Sequence, residues 1–304
     1  MYKNARAMVA LLRGQMIDWI HSPRTLIMGI IILLLTLLYA NGYKVMLQSS
    51  DLFSYFGESF YVYLSSGFGN ITLTSAMFLI MVSEIPRRIA FQNDMLIRCS
   101  RGKWLRSQIL FCFLIVSLML ILMTAFCMIL TLPSLTSGRG WSDLDRIAAD
   151  PDAAFQMQLV PEYIRSIPPW QASLLAGANL FAFWFVMVLV ILALSLAGKP
   201  NFGLILYVFL LVLHVTVMWE RIPGFRSPAN YATLSAVASM YPEHELEMFP
   251  IVLAVYACII LLMIGIMHLE VRHMDMCFDR KESVFVNKKV LQKGVKKVST
   301  FNTQ

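Results

Sequence analysis

The chain has 304 residues, of which 58% are apolar and 14% charged, with a mean hydropathy of +0.67 and a formal charge of +7. Soluble domains carry roughly 45–50% apolar and about 25% charged residues, so an ordinary globular enzyme or binding module is excluded. The apolar excess lies in continuous runs, whereas an outer-membrane barrel alternates with period two and turns about every ten residues. The expected fold class is an all-α polytopic membrane protein.

Residues 1–24 come first. Ala5, Met8, Val9, Leu12, Met16, Trp19 and Ile20 recur at helical spacing, with Lys3, Arg6 and Arg13 gathered on the other side. This predicts an amphipathic helix lying in the inner membrane interface. A cleaved signal peptide fits less well, because the basic lead is long and Tyr39-Ala40-Asn41-Gly42 offers no small-x-small site.

Six apolar runs follow, giving predicted spans at about 25–41, 66–85, 107–132, 171–197, 202–219 and 249–269, all within a membrane domain of residues 25–271. About 20 apolar residues suffice to cross, since a helix rises 1.5 Å per residue and the hydrocarbon core is about 30 Å thick. Trp19, Trp104, Trp170 and Trp219 fall near run ends, where an amphipathic ring prefers the headgroup region.

Orientation follows from the cations. Lys3, Arg6, Arg13 and Arg24 precede the first span; Arg87, Arg88, Arg98, Arg101, Lys103 and Arg106 separate the second from the third. Lys199 lies between the fourth and fifth, and eight more cations from Arg272 to Lys297 fill a basic tail, residues 272–304. Nineteen of the twenty-five Lys and Arg thus share one side, which places both termini in the cytoplasm. The positive charge is then a topology signal and does not call for nucleic acid.

Two connections on the other side are long. Pro133 to Trp170 carries Asp143, Asp145, Asp150, Asp152 and Glu162 and is expected to form a small external cap. Glu220 to Met248 has a weakly apolar middle between Pro228 and Pro242. It reads either as an external helical hairpin dipping into the outer leaflet before the last span or as a helix resting on the surface.

The chemistry is sparse. Cys112, Cys127 and Cys258 lie in apolar runs and Cys99 and Cys277 in basic flanks, leaving none for an external disulfide. No CxxC or paired-His spacing suggests a metal. Only Glu84, His214 and His268 are ionisable groups within the runs, too few to suggest ion coupling. HExxH, GxSxG and the phosphate-cradling GxxxxGK[ST] are all missing from the sequence, so no catalytic residue is assigned and any ATP hydrolysis belongs to another chain. The second run is the most polar, with Asn70, Thr72, Thr74 and Ser75 among glycines. Together with Asn179 and His214 these residues mark either close helix packing, including a dimer face, or a substrate path. For His214 the alternatives are a neutral, bonded ring and a proton relay.

The most distinctive segment runs from Glu84 to Trp104. Pro86 is placed to end the second span, and Ile89, Met95, Leu96 and Trp104 are set among Arg87, Arg88, Gln92, Asp94, Arg98 and Arg101. Such a helix, bending at Ser100-Arg101-Gly102, presents one face to a protein or to lipid; a partnerless basic loop that merely sets topology is the alternative.

The whole pattern resembles the permease subunits of ABC-2 type exporters: an interfacial N-terminal helix, six spans, both ends inside, a basic amphipathic segment between spans two and three, and a long outer connection before span six. Glu84, Arg87, Arg88, Asp94, Leu96, Arg98, Ser100, Arg101 and Trp104 carry the likeness, although Ile89-Ala90-Phe91 stands where the family often has Gly-Thr. The resemblance implies a cytoplasmic coupling helix at Arg87, Arg88, Gln92, Asp94, Arg98, Arg101 and Trp104 that docks on a separate ABC ATPase subunit. It also implies pairing with a second permease copy or a related permease, membrane lipids as surroundings, and ATP with magnesium held by the partner alone. Twenty methionines and few buried charges suit an amphipathic peptide or lipid-like or drug-like cargo. Two other classes stay open: a non-transporting membrane sensor or immunity-type binding protein, and a lipid-acting enzyme using His214, His244 or His273. The tail lysines suit anionic headgroups or the ATPase surface.

Overall fold

A computed structural model describes residues 2–49, 54–65, 68–83, 85, 101–136, 140–141, 166–220 and 245–273. These residues form eight α-helices: α1 (Tyr2–Ile20), α2 (Pro23–Ser49), α3 (Glu58–Ser65), α4 (Phe68–Val82), α5 (Arg101–Thr131), α6 (Pro169–Leu196), α7 (Pro200–Glu220) and α8 (Glu245–His273). A 3₁₀ turn at Leu132–Ser134 continues α5, and two short parallel strands, β1 (Ser54–Tyr55) and β2 (Leu135–Thr136), pair Ser54 with Leu135.

Four of these helices are long and apolar enough to cross a bilayer: Pro23–Val45, Arg101–Thr131, Pro169–Leu196 and Glu247–Arg272. Shorter apolar stretches occupy Thr72–Val82 and Asn201–Val212. Within the predicted second span, 66–85, residues 68–83 and 85 are described, and α4 lies inside those bounds. A separate helix, α3, precedes a 15-residue α4, which is about 22 Å long and short of the hydrocarbon thickness. Residues 66–67, between α3 and α4, lie outside the described set. The external hairpin predicted between 220 and 248 and the tail from 274 also lie outside it.

α6 is the centre of the bundle. Helices α3, α5, α7 and α8 all pack against it, while α2 packs between α4 and α5. Its buried residues run almost continuously from Phe183 to Leu192, as expected of a helix enclosed on all sides. The helix ends where the sequence changes character: Gly198 takes a φ of +77°, and the Lys199 N–H reaches back to the Leu194 carbonyl at 2.8 Å. That is the six-to-one closure of a glycine-terminated helix. Pro200 then opens α7, its missing N–H harmless at a helix start.

α1 docks along α5. Its buried side is Leu11, Gln15 and Trp19, whereas Val9 and Ile20 of the predicted apolar stripe are exposed. The difference arises because α5 covers only one edge of that stripe, leaving the rest for lipid.

Candidate functional site

Three levels of the bundle carry polar chemistry. At the end where α1, the start of α5 and the end of α8 converge, the Arg101 guanidinium Nη1 donates to the Arg272 carbonyl at 3.1 Å, tying α5 to α8. Gly102 faces His268 at that point. One turn on, Trp104 is buried and the Ser107 hydroxyl donates to its carbonyl at 2.9 Å. The rings of Trp19 and Phe111 meet edge to face at 6.5 Å. α5 begins and α6 and α8 end toward this level, which assigns Arg101, Lys103, Arg106, Lys199 and Arg272 to this end and makes it the basic one.

The middle level is a chain of hydroxyls and indole. The Tyr63 hydroxyl lies 3.0 Å from Thr74 Oγ1, and Thr36, which donates to its own Ile32 carbonyl at 2.9 Å, sits 3.4 Å from Tyr63. On the adjoining side the Trp184 Nε1–H donates to Ser75 Oγ at 2.9 Å and the Tyr207 hydroxyl to the Ser75 carbonyl at 3.2 Å. Trp184 stacks on Phe78, centroids 4.4 Å apart and planes within 10°. One polar turn of α4 thereby joins α2, α3, α6 and α7, the interhelical bonding that hydroxyls provide in an apolar medium.

The third level is the opposite end. Gly57, at φ +89°, turns the chain from β1 into α3, and a Cβ there would stand 2.8 Å from Trp170 Cα. The Ser173 hydroxyl donates to the Gly57 carbonyl. Thr131 donates to the Cys127 carbonyl at 3.0 Å and lies 3.2 Å from Ser59 Oγ; Trp141 Nε1–H reaches the Ile167 carbonyl at 2.8 Å. Beside this plug, a cleft of about 720 Å³ lies among Leu120, Ile121 and Met128 of α5, Trp170, Leu174 and Phe181 of α6, and Phe56 and Phe60. Its hydroxyls face protein backbone: Ser117 donates to Phe113, Thr124 to Leu120 and Ser173 to Gly57. The cleft thus suits hydrocarbon and offers little to a sugar or an ion.

Of the residues singled out in the sequence, Thr74 and Ser75 are brought together in the middle level, and Asn179 is buried on α6. Thr72 Oγ1 is buried without a hydrogen-bond partner. Asn70 and His214 lie on α4 and α7, their side chains outside the described set, as do Arg87, Arg88, Gln92, Asp94 and Arg98 entirely. Arg101 and Trp104 open α5. The residues that sequence reading missed are Thr36, Tyr63, Trp184, Tyr207 and Gly57. A tyrosine or tryptophan inside an apolar run was the available signal, because its O–H or N–H needs a partner when buried. Among the described residues no group of three His, Cys, Asp or Glu could hold a metal ion.

No family model, no curated protein and no solved structure matches the chain. The fold and its apolar helices define an all-helical polytopic membrane protein.

Proposed function

We propose that the chain is the membrane-spanning permease subunit of an ATP-driven exporter in a bacterial plasma membrane, with α3–α4 and α7 completing six spans and both termini cytoplasmic. α7 comprises 21 helical residues, about 32 Å of rise, and α3 with α4 extends from Glu58 to Val82. The basic end takes the cytoplasmic side by the cation rule. The chain itself hydrolyses nothing on this reading; a separate ABC ATPase binds ATP and magnesium, and a second permease completes the unit.

The observation that carries the proposal is the Arg101 to Arg272 bond. A force applied to the basic segment before Arg101 reaches α5 directly and α8 through that bond, and α8 packs on the central α6. A displacement at the coupling segment is thereby passed into the bundle. The apolar cleft between α5 and α6 favours an amphipathic peptide or lipid-like cargo. A sensor or immunity-type protein is the second reading, favoured by the middle level, where hydroxyls are engaged in packing instead of lining a path.

The test is purification of the full chain from its native membrane, followed by ATPase assay and quantification of copurifying subunits. An ATPase present in equimolar amount, and lost on Arg98→Glu, is the expected result. Arg98 is preferred to Arg101, whose replacement would also release α8. Absence of any ATPase overturns the exporter reading in favour of the sensor.

A further inference from the structure

Four buried polar atoms where α1 meets the start of α5 have no hydrogen-bond partner: Gln15 Oε1 and Trp19 Nε1 on α1, Trp104 Nε1 and Gln108 Nε2 on α5. All four residues are at least nine-tenths buried, from 1% exposure at Gln108 to 5% at Trp104. Their spacing makes them one feature. Leu11, Gln15 and Trp19 stand four residues apart and form one stripe of α1; Trp104, Gln108 and Phe111 form one stripe of α5. The edge-to-face contact of Trp19 with Phe111 sets these stripes against each other.

An amide or indole group sealed from water without a partner opposes the contact that seals it. The indoles of Trp184 and Trp141 and the Tyr207 hydroxyl are satisfied, by Ser75, Ile167 and the Ser75 carbonyl, while Thr25, Thr72 and Glu270 each leave a single buried oxygen unpaired at separate places. What sets the α1 contact apart is that four such atoms share one helix–helix contact. α1 is also joined to the bundle by little else. It packs along α5 and only slightly on α2. The link is two residues, His21 and Ser22, after which Pro23 starts α2. The His21 N–H and Nδ1 both turn back to the Ile17 carbonyl, at 3.0 and 2.8 Å, and the Ser22 N–H to Trp19 at 3.3 Å. Pro23 has no N–H with which to carry the helical ladder across the joint.

We propose that α1 is a hinged arm that docks reversibly on α5, pivoting at His21-Ser22. In the docked state Leu11 and Trp19 gain packing while Gln15, Trp19, Trp104 and Gln108 lose their polar partners. In the undocked state α1 lies in the headgroup region, where those groups bond to water and lipid, and the first turns of α5 are uncovered. This two-state element stands whether or not the chain is an exporter, and a missing ATPase would leave it untouched.

Hydrogen exchange of the full-length protein in phospholipid nanodiscs tests it. Exchange in α1, residues 8–20, is expected to be far faster than in α6, because docked helices exchange through local opening. Replacing the orphaned amides by apolar isosteres, Gln15→Leu with Gln108→Leu, should slow α1 exchange about tenfold and leave α6 and α8 unchanged. If this double variant does not assemble, Trp19→Phe carries the same test, since it removes one orphaned N–H and keeps a ring against Phe111. Unchanged or faster α1 exchange in the variant overturns the proposal, for it would mean that the polar groups secure the docked arm.

Discussion

α6 and α8 are nearly the same length, 28 and 29 residues, and both are apolar enough to span a membrane. Yet 78% of the residues in the most apolar stretch of α6 are buried within the bundle, against 17% for α8. Hydropathy does not separate them, because lipid tails are as apolar as leucine and no solvent difference sorts one face from another. What separates them is residue shape and polarity. α6 carries Ala172, Ala176 and Ala182, which let neighbours approach, and Ser173, Asn179 and Trp184, which find interior sites. α8 turns Ile251, Val255, Leu261, Leu262 and Leu269 outward.

Substitutions should reproduce that contrast when unfolding is followed in detergent. Trp184→Ala removes the stack on Phe78 and the bond to Ser75 from the interior of α6 and is expected to cost about 3–5 kcal/mol. A value near zero would show that α6 is not the structural centre. Gly57→Ala forces a side chain into positive φ and against the Trp170 backbone, for an expected loss of about 1–3 kcal/mol. Its damage should be greatest at the plug end, read as faster proteolysis near β1 and β2. Ser75→Ala leaves the Trp184 N–H buried and unmet at about 1–2 kcal/mol; Ser75→Thr, which keeps the acceptor, should recover much of it. Leu261→Ala on the open face of α8 should change stability by no more than about 0.5 kcal/mol. If it instead changes the oligomeric state, the α8 face is covered by another chain, and the comparison with α6 narrows to one of partners.

The helix ends were largely legible. Ala197-Gly198-Lys199-Pro200 announces a glycine cap followed by a proline start, and the structure closes α6 and opens α7 there. Helix α3 was not, because Glu58 to Leu64 reads as a moderately polar lead-in to the second span. Its burial comes from α2, α5 and α6 closing around it, contacts remote in sequence. Thr74 and Ser75 were legible as polar residues in an apolar run, but their partners were not: Tyr63, Trp184 and Tyr207 come from three other helices. On α1 the apolar periodicity was visible, whereas the edge chosen by α5, and the four polar atoms enclosed with it, was not.

The sequence by itself determined that this chain lives in a membrane, since apolar length against bilayer thickness is a local property of each run. It also determined which end of the bundle is basic, because cations are counted along the chain. The tertiary structure decided which apolar helix is enclosed, that α3 is buried among α2, α5 and α6, and which hydroxyls meet. Those depend on the shapes of surfaces that come together only when distant segments pack, and in an apolar medium shape and hydrogen bonding, not hydropathy, select the neighbours.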